Sequence, residues 1–171
     1  MNIILRATTL AETAALPAIE RSAGQRFLLI PDLAWIADDQ IISAAQHRAF
    51  AAAGMSWLAQ VDERPVGFLV AETLGSSLFI AELSLHLEWQ GKGIGRRLIG
   101  YVAEQAREKG YTSLTLTTFR DVPWNAPLYA RLGFEMLADE TLSPELREKR
   151  AEEVAHGQTY ERRCAMRLML R

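Results

Sequence analysis

The sequence predicts an α/β (α+β) protein: a mixed, mainly antiparallel sheet of about seven strands with helices on both faces. Three observations carry that prediction. Segments rich in β-branched and aromatic residues recur along the chain, and two of them flank the turn-like "DERP" at 62–65. The first third carries apolar residues at helical intervals, and in mid-chain an amphipathic stretch follows the glycine-rich "WQGKGIGRR" at 89–97.

In order, "IILRAT" (Ile3 to Thr8) reads as an opening strand, and Leu10 to Phe27 as a helical stretch that Pro17 interrupts. An irregular loop leads to a second helix from about Asp39 to Ala53, stopped by Gly54. "SWLAQVDERPVGFLVAE" reads as two antiparallel strands joined by a tight turn, and Leu78 to Leu85 as a third. "RRLIGYVAEQAREKGY" places Leu98, Tyr101 or Val102, and Gln105 or Ala106 on one side, with Gly110 as its stop. "SLTLTTF" is strand-like, and "WNAPLYARLGF" suits a short helix ending at Gly133. Ser143 caps a surface helix with Pro144 in its first turn and Glu145 and Glu148 near its positive end. "RRCAMRLML" closes the chain as an alternating strand. No repeat, linker or low-complexity run divides the sequence, so one domain over 1–171 is expected.

Composition narrows the function. With 171 residues, 49% of them hydrophobic, the chain can bury one sizeable core. A formal charge of −2 supplies no basic field for an extended nucleic-acid surface. Arg6, Glu12 and Glu20 break up the N-terminal stretch, which reads neither as a membrane span nor as a signal peptide. One cysteine, Cys164, excludes an internal disulfide, and three scattered histidines leave no metal-ligand spacing. A metal-free cytoplasmic protein is expected.

The turn places three glycines in five residues just before a helix, where main-chain N–H groups form an anion site. A nucleotide triphosphate loop needs Gly-Lys-Ser/Thr, but here Lys92 precedes Gly93 and no hydroxyl follows. A dinucleotide turn counted from Gly93 and Gly95 meets Leu98 where its third glycine belongs. Gln/Arg-x-x-Gly-x-Gly/Ala fits, as Gln90, Gly91, Lys92, Gly93, Ile94 and Gly95. With this turn, the preceding "AELSLHLEWQ", the following "LTLTTF" and the distal "NAPLYARLGF", the chain resembles the GNAT superfamily of N-acetyltransferases over roughly Arg6 to Phe134.

That resemblance implies a three-layer GNAT-type sandwich and acetyl-coenzyme A (acetyl-CoA) as cosubstrate, its pyrophosphate on residues 90–95 with Arg96 and Arg97 adding charge. It further implies that Leu83, Ser84 and Leu85 pair with the pantetheine arm and that the Leu85 N–H stabilises the oxyanion. Glu82 matches the position of a base in several members, and can equally position the substrate or point outward. His86 is a second base candidate. Tyr129 matches the acid that protonates the departing thiolate. The family's commonest pattern puts an asparagine seven residues before that tyrosine, where this chain has Val122. Asn125 stands four residues before it and is expected either to touch the pantetheine arm or to cap a helix. Pro123 and Trp124 are expected to shape the entrance. Cys164 has no visible activating partner, so direct transfer is preferred to an acyl-cysteine route.

The acceptor is expected against residues 20–39 and 139–158, where Glu20, Arg26, Phe27, Trp35, Asp38 and Asp39 lie in the first of these stretches. The amine, whether small molecule, amino acid or protein, stays open. So does a non-catalytic acyl-CoA-binding module of the same fold, and a nucleotide-binding regulatory domain is disfavoured. A homodimer through the last strand or the helix before it is expected.

Overall fold

A computed structural model describes residues 2–171. The described residues form two compact units, 2–72 with 81–102 and 73–80 with 103–171. Seven strands follow the order β1-β2-β3-β4-β5-β7-β6, mostly antiparallel, as the alternating segments predict.

In the first unit, β1 (Ile3–Ala7) pairs antiparallel with β2 (Ser56–Val61), which pairs antiparallel with β3 (Arg64–Leu74). The β2–β3 turn is tight because Asp62 and Glu63 both take positive φ, 49° and 64°, which matches the twist of the flanking strands. Pro65 cannot donate to a ladder, and the register slips between Ala59 and Gln60 where it pairs. Leu16, Ile19, Leu58, Phe68 and Val70 form one core, with Ile42 and Phe50 packed on it. A second joins Ala59, Val61, Val66 and Ile94 with Leu85 and Trp89.

The helical first third is more broken than its periodicity suggests. Two 3₁₀ turns, Leu10–Ala15 and Gln25–Leu29, flank α1 (Leu16–Gly24). Pro17 opens α1 instead of interrupting a longer helix, since a missing N–H costs nothing in a first turn. Residues Pro31–Asp38 are a 3₁₀ segment, where a loop was expected. α2 (Ala44–Ala52) begins later than Asp39 because Ser43 caps it: the Gln46 N–H donates to Ser43 Oγ at 3.1 Å and the Gln46 side chain accepts from the Ser43 N–H at 2.8 Å.

In the second unit, β5 (Ser113–Phe119) is central. The start of β4 (Ser77–Leu85) runs parallel to it over Ser77–Phe79, and β7 (Arg163–Met169) antiparallel on its other side. The short β6 (Glu135–Met136) pairs with β7. α3 (Ile94–Glu108) belongs to the first unit up to Val102 and to the second beyond it, burying Leu98, Val102 and Ala106. α4 (Ala126–Arg131) and α5 (Pro144–Ala155) complete the unit; the Leu146 N–H donates to Ser143 Oγ, the expected cap.

Candidate active site

β4 stops at Leu85, and the chain bends through Leu87–Trp89 into the glycine turn. Gly91 and Gly93 take φ of 76° and 82°, so glycine is required there for conformation; an added Cβ would meet only open space. The Gly93 carbonyl accepts from the Arg97 N–H at 3.2 Å, which makes Gly93 the last residue before α3. The N–H groups of Ile94, Gly95 and Arg96 therefore have no acceptor within the helix. Fully buried Ile94 anchors this start against Ala59, Val61 and Val66, while Gly91, Lys92, Gly93, Arg96 and Arg97 are exposed. The result is an exposed helix start with a positive end and three cationic side chains around it.

Leu85 is held from several directions. A Cβ on Gly67 of β3 would lie 2.2 Å from Leu85 Cδ2 and 3.1 Å from the Ser84 carbonyl, so any side chain there would displace Leu85 and press on the β4 backbone. A Cβ on Gly95 would meet Leu85 Cδ1 at 3.5 Å. The His86 N–H donates to the Val66 carbonyl at 2.8 Å, and the Gln90 side-chain nitrogen donates to the Leu85 carbonyl at 3.0 Å. Gln90 Oε1 accepts in turn from the Arg26 guanidinium at 3.1 Å. Gln90, expected among the donor-binding residues, thus spends its side chain inside the protein and leaves only its main chain for a ligand.

Two half-buried carboxyls neighbour each other, Glu82 on β4 and Glu20 on α1. Glu82 Oε2 accepts from the hydroxyl of buried Ser84 at 2.9 Å, and Leu83 lies between them on β4. Glu20 of α1 accepts from the Ile42 N–H at 3.0 Å. Burial and the neighbouring Glu82 charge push the Glu20 carboxyl up to about 8, against the opposing pull of the Ile42 N–H and Arg21. The pair therefore holds a proton at neutral pH. His86, the second base candidate, falls one residue beyond β4, and its Nδ1 lies 3.7 Å from Glu88 Oε1.

In the second unit, Tyr129 is buried on α4 with its ring edge-on to Phe134 at 5.6 Å. Its N–H donates to the Asn125 carbonyl, one helical turn back. Asn125 occupies the N-cap position, yet its side chain makes no cap bond and its Oδ1 is shielded from solvent without a partner. The capping alternative does not hold, and an acceptor is left that needs a donor. Val122 is buried, its carbonyl accepting from the Asn125 N–H. Cys164 is buried in β7, where burial pushes its thiol up and away from nucleophilic use.

The residues that sequence reasoning missed are Gly67 and the Arg26–Gln90 bond. A glycine within a strand pattern was the available signal for the first; no local pattern announces the second. Among the described residues, no group of three His, Cys, Asp or Glu side chains could hold a metal ion, and no helix is long and apolar enough to cross a membrane.

Comparison with solved structures finds the same fold repeatedly. The PaiA N-acetyltransferase of Thermoplasma acidophilum, solved with coenzyme A, superposes with a TM-score of 0.72 at 15% identity, over 99% of each chain. A ribosomal-protein-alanine N-acetyltransferase of Brucella melitensis gives 0.70 at 22% identity, over 98% of this chain and 99% of that one. N-acetylglutamate synthase of Neisseria gonorrhoeae, solved with coenzyme A and N-acetyl-glutamate, gives 0.71 at 18% identity; all of this chain matches 36% of that one. Residues 23–134, which run from the end of α1 through the glycine turn to the residue after Gly133, match the acetyltransferase (GNAT) family, and the chain belongs to it.

Proposed function

We propose that this single-domain protein transfers the acetyl group of acetyl-CoA directly to a primary amine of a small molecule or protein, without a covalent enzyme intermediate. The observation that carries this proposal is the exposed start of α3, where Gly91 and Gly93 adopt left-handed φ and the N–H groups of Ile94, Gly95 and Arg96 have no acceptor within the helix. These groups suit a diphosphate: they are fixed, positively polarised and free of side-chain obstruction. The unpartnered Asn125 Oδ1 suits an amide N–H of the pantetheine arm, and Leu83, Ser84 and Leu85 suit its pairing as an added strand.

The chemistry follows from the residues. An alkylammonium has no lone pair, so Glu82 accepts its proton as the nitrogen attacks the thioester carbonyl. The Leu85 N–H donates to the oxygen on which negative charge develops. As the carbon–sulfur bond breaks, Tyr129 gives its proton to the departing thiolate, and the second proton of the adduct nitrogen replaces it, leaving a neutral amide. Glu20, pushed up to about 8 by burial and the neighbouring Glu82 charge, keeps its own proton at neutral pH and leaves Glu82 to take the incoming one.

Two measurements test this. Acetyl-CoA is expected to raise the thermal midpoint where ATP and NAD do not, since a saturating ligand stabilises by a few kcal/mol. Thiol release is then followed across amino acids, peptides beginning with alanine, and cationic small amines. Tyr129→Phe should keep the acetyl-CoA shift and lower thiol release about 10²-fold. A shift with no thiol release from any amine would leave a binding module and overturn the enzyme assignment.

A further inference from the structure

We infer that Arg26 and Gln90 are positioning residues for acyl transfer: Gln90 bridges the Arg26 guanidinium and the Leu85 carbonyl, and so holds the Leu85 N–H toward the thioester oxygen. The inference rests on the donor-side assignment proposed above. Neither side chain needs to touch the reacting atoms.

The bridge has one possible sense. A carbonyl can only accept, so the Gln90 nitrogen faces Leu85; a guanidinium can only donate, so the Gln90 oxygen faces Arg26. Turning the amide over would lose both bonds. The peptide unit between Leu85 and His86 is consequently held at both ends, its carbonyl by Gln90 at 3.0 Å and its N–H by the Val66 carbonyl at 2.8 Å. Contacts to Gly67 and Gly95 confine the Leu85 side chain. With the following peptide and the side chain both fixed, the preceding N–H has little freedom left.

The same bridge ties the strand exit to the helical segment expected to face the acceptor. Arg26 lies in the 3₁₀ turn after α1, and three residues before that turn begins Ser22 Oγ accepts from the Leu87 N–H at 2.9 Å. Arg26 and Ser22 thus grip the segment between β4 and the glycine turn from one side. A displacement of the α1 end is transmitted to Leu85 through two hydrogen bonds, and misplacement on the scale of 1 Å suffices to cost about 10²-fold in rate.

Four variants test the bridge: Gln90→Ala, Gln90→Glu, Arg26→Ala and Arg26→Lys. Gln90→Glu separates the two bonds, because a carboxylate still accepts from Arg26 but cannot donate to Leu85. Gln90→Ala and Gln90→Glu should lower kcat by about tenfold or more, Arg26→Ala by less, and Arg26→Lys should recover most of the loss because an ammonium still donates. The acetyl-CoA Kd and the acceptor KM should stay within about twofold of wild type. A Kd that rises in step with the loss, or Gln90→Glu with wild-type kcat, overturns the inference. Hydrogen exchange of the free protein supplies a readout that needs no activity. The His86 and Leu87 amides should exchange faster in Gln90→Ala and Arg26→Ala, and unchanged exchange overturns the bridge even if the amine panel finds no acceptor.

Discussion

Two stretches of the first unit handle polarity in opposite ways. Between Leu85 and Arg97 the polar groups of the helix start are main-chain N–H groups, unpaired and set by glycine dihedrals, with exposed Lys92, Arg96 and Arg97 around them. Between Thr9 and Leu29 the polar groups are side chains, and their character comes from the groups each one meets. Glu12 and Glu20 show the contrast within one helical run. Glu12 accepts from the Arg6 guanidinium and from the Thr9 N–H, which hold its carboxyl down to about 2. Glu20, buried beside Glu82, is pushed up to about 8. Identical residues end as a fixed anion and as a proton store. The unpaired N–H groups are thus set by backbone geometry, and the proton affinities of the carboxyls by tertiary surroundings.

The largest effect expected from breaking that contrast lies at Gly93. Valine there would have to adopt φ near 82°, which a β-branched residue resists by about 1–3 kcal/mol, and the turn would re-aim its N–H groups instead. Gly93→Val should weaken acetyl-CoA binding about 100-fold, or about 2.7 kcal/mol, by calorimetry. Gly93→Asn, which tolerates left-handed φ, should retain much more of the affinity. Equal affinity in wild type and Gly93→Val would remove the backbone account of donor binding.

The contrast also explains what could be read from the chain alone. The glycine turn, the β2–β3 turn and the cap at Ser143 are short-range devices that the sequence shows, whereas the start of α2 is expected at about Asp39 and lies after the Ser43 cap. Gly67 lies in the predicted strand "VGFLV", where its meaning depends on Leu85 approaching from β4. Arg26 and Gln90 are 64 residues apart, and no periodicity links them. The opposite proton affinities of Glu12 and Glu20 are likewise invisible, since both stand on the same helical pattern. Asn125 misled in another way: its N-cap position is real, but its side chain does not cap.

A smaller effect sharpens the acceptor side. A carboxyl raised from the ordinary 4.5 to about 8 binds a proton on folding, so its contribution to stability is lost as pH rises through that window. Above about 8, Glu20 ionises, and the doubly charged pair binds a cationic amine and its proton more strongly. The log of kcat/KM should therefore climb through a limb near pH 8, rising several-fold. Glu20→Gln should abolish that limb and also flatten the loss of stability between pH 5 and 8 seen in urea midpoints. A limb unchanged in Glu20→Gln would assign it to another group and detach Glu20 from the chemistry.

The smallest effect concerns stability, at His47 of α2. Its ring is fully buried, edge-on to Phe68 at 4.8 Å, and neither ring nitrogen has a partner. Burial holds its pKa below the ordinary 6.5, so the unfolded chain takes up a proton that the folded chain refuses. Stability is then full above about pH 7 and falls as pH drops below about 6.5. His47→Leu, of similar volume and without polar atoms, should raise the thermal midpoint at pH 5.5 by about 2–4 °C for each kcal/mol recovered, with the gain shrinking toward pH 8. Glu20 titrates across the same window but is present in both proteins, so its slope cancels in the difference. Melting curves that shift in parallel from pH 5.5 to 8 would mean that the folded state accommodates the imidazolium, and His47 would then join Glu12 as a satisfied charge instead of standing with Glu20.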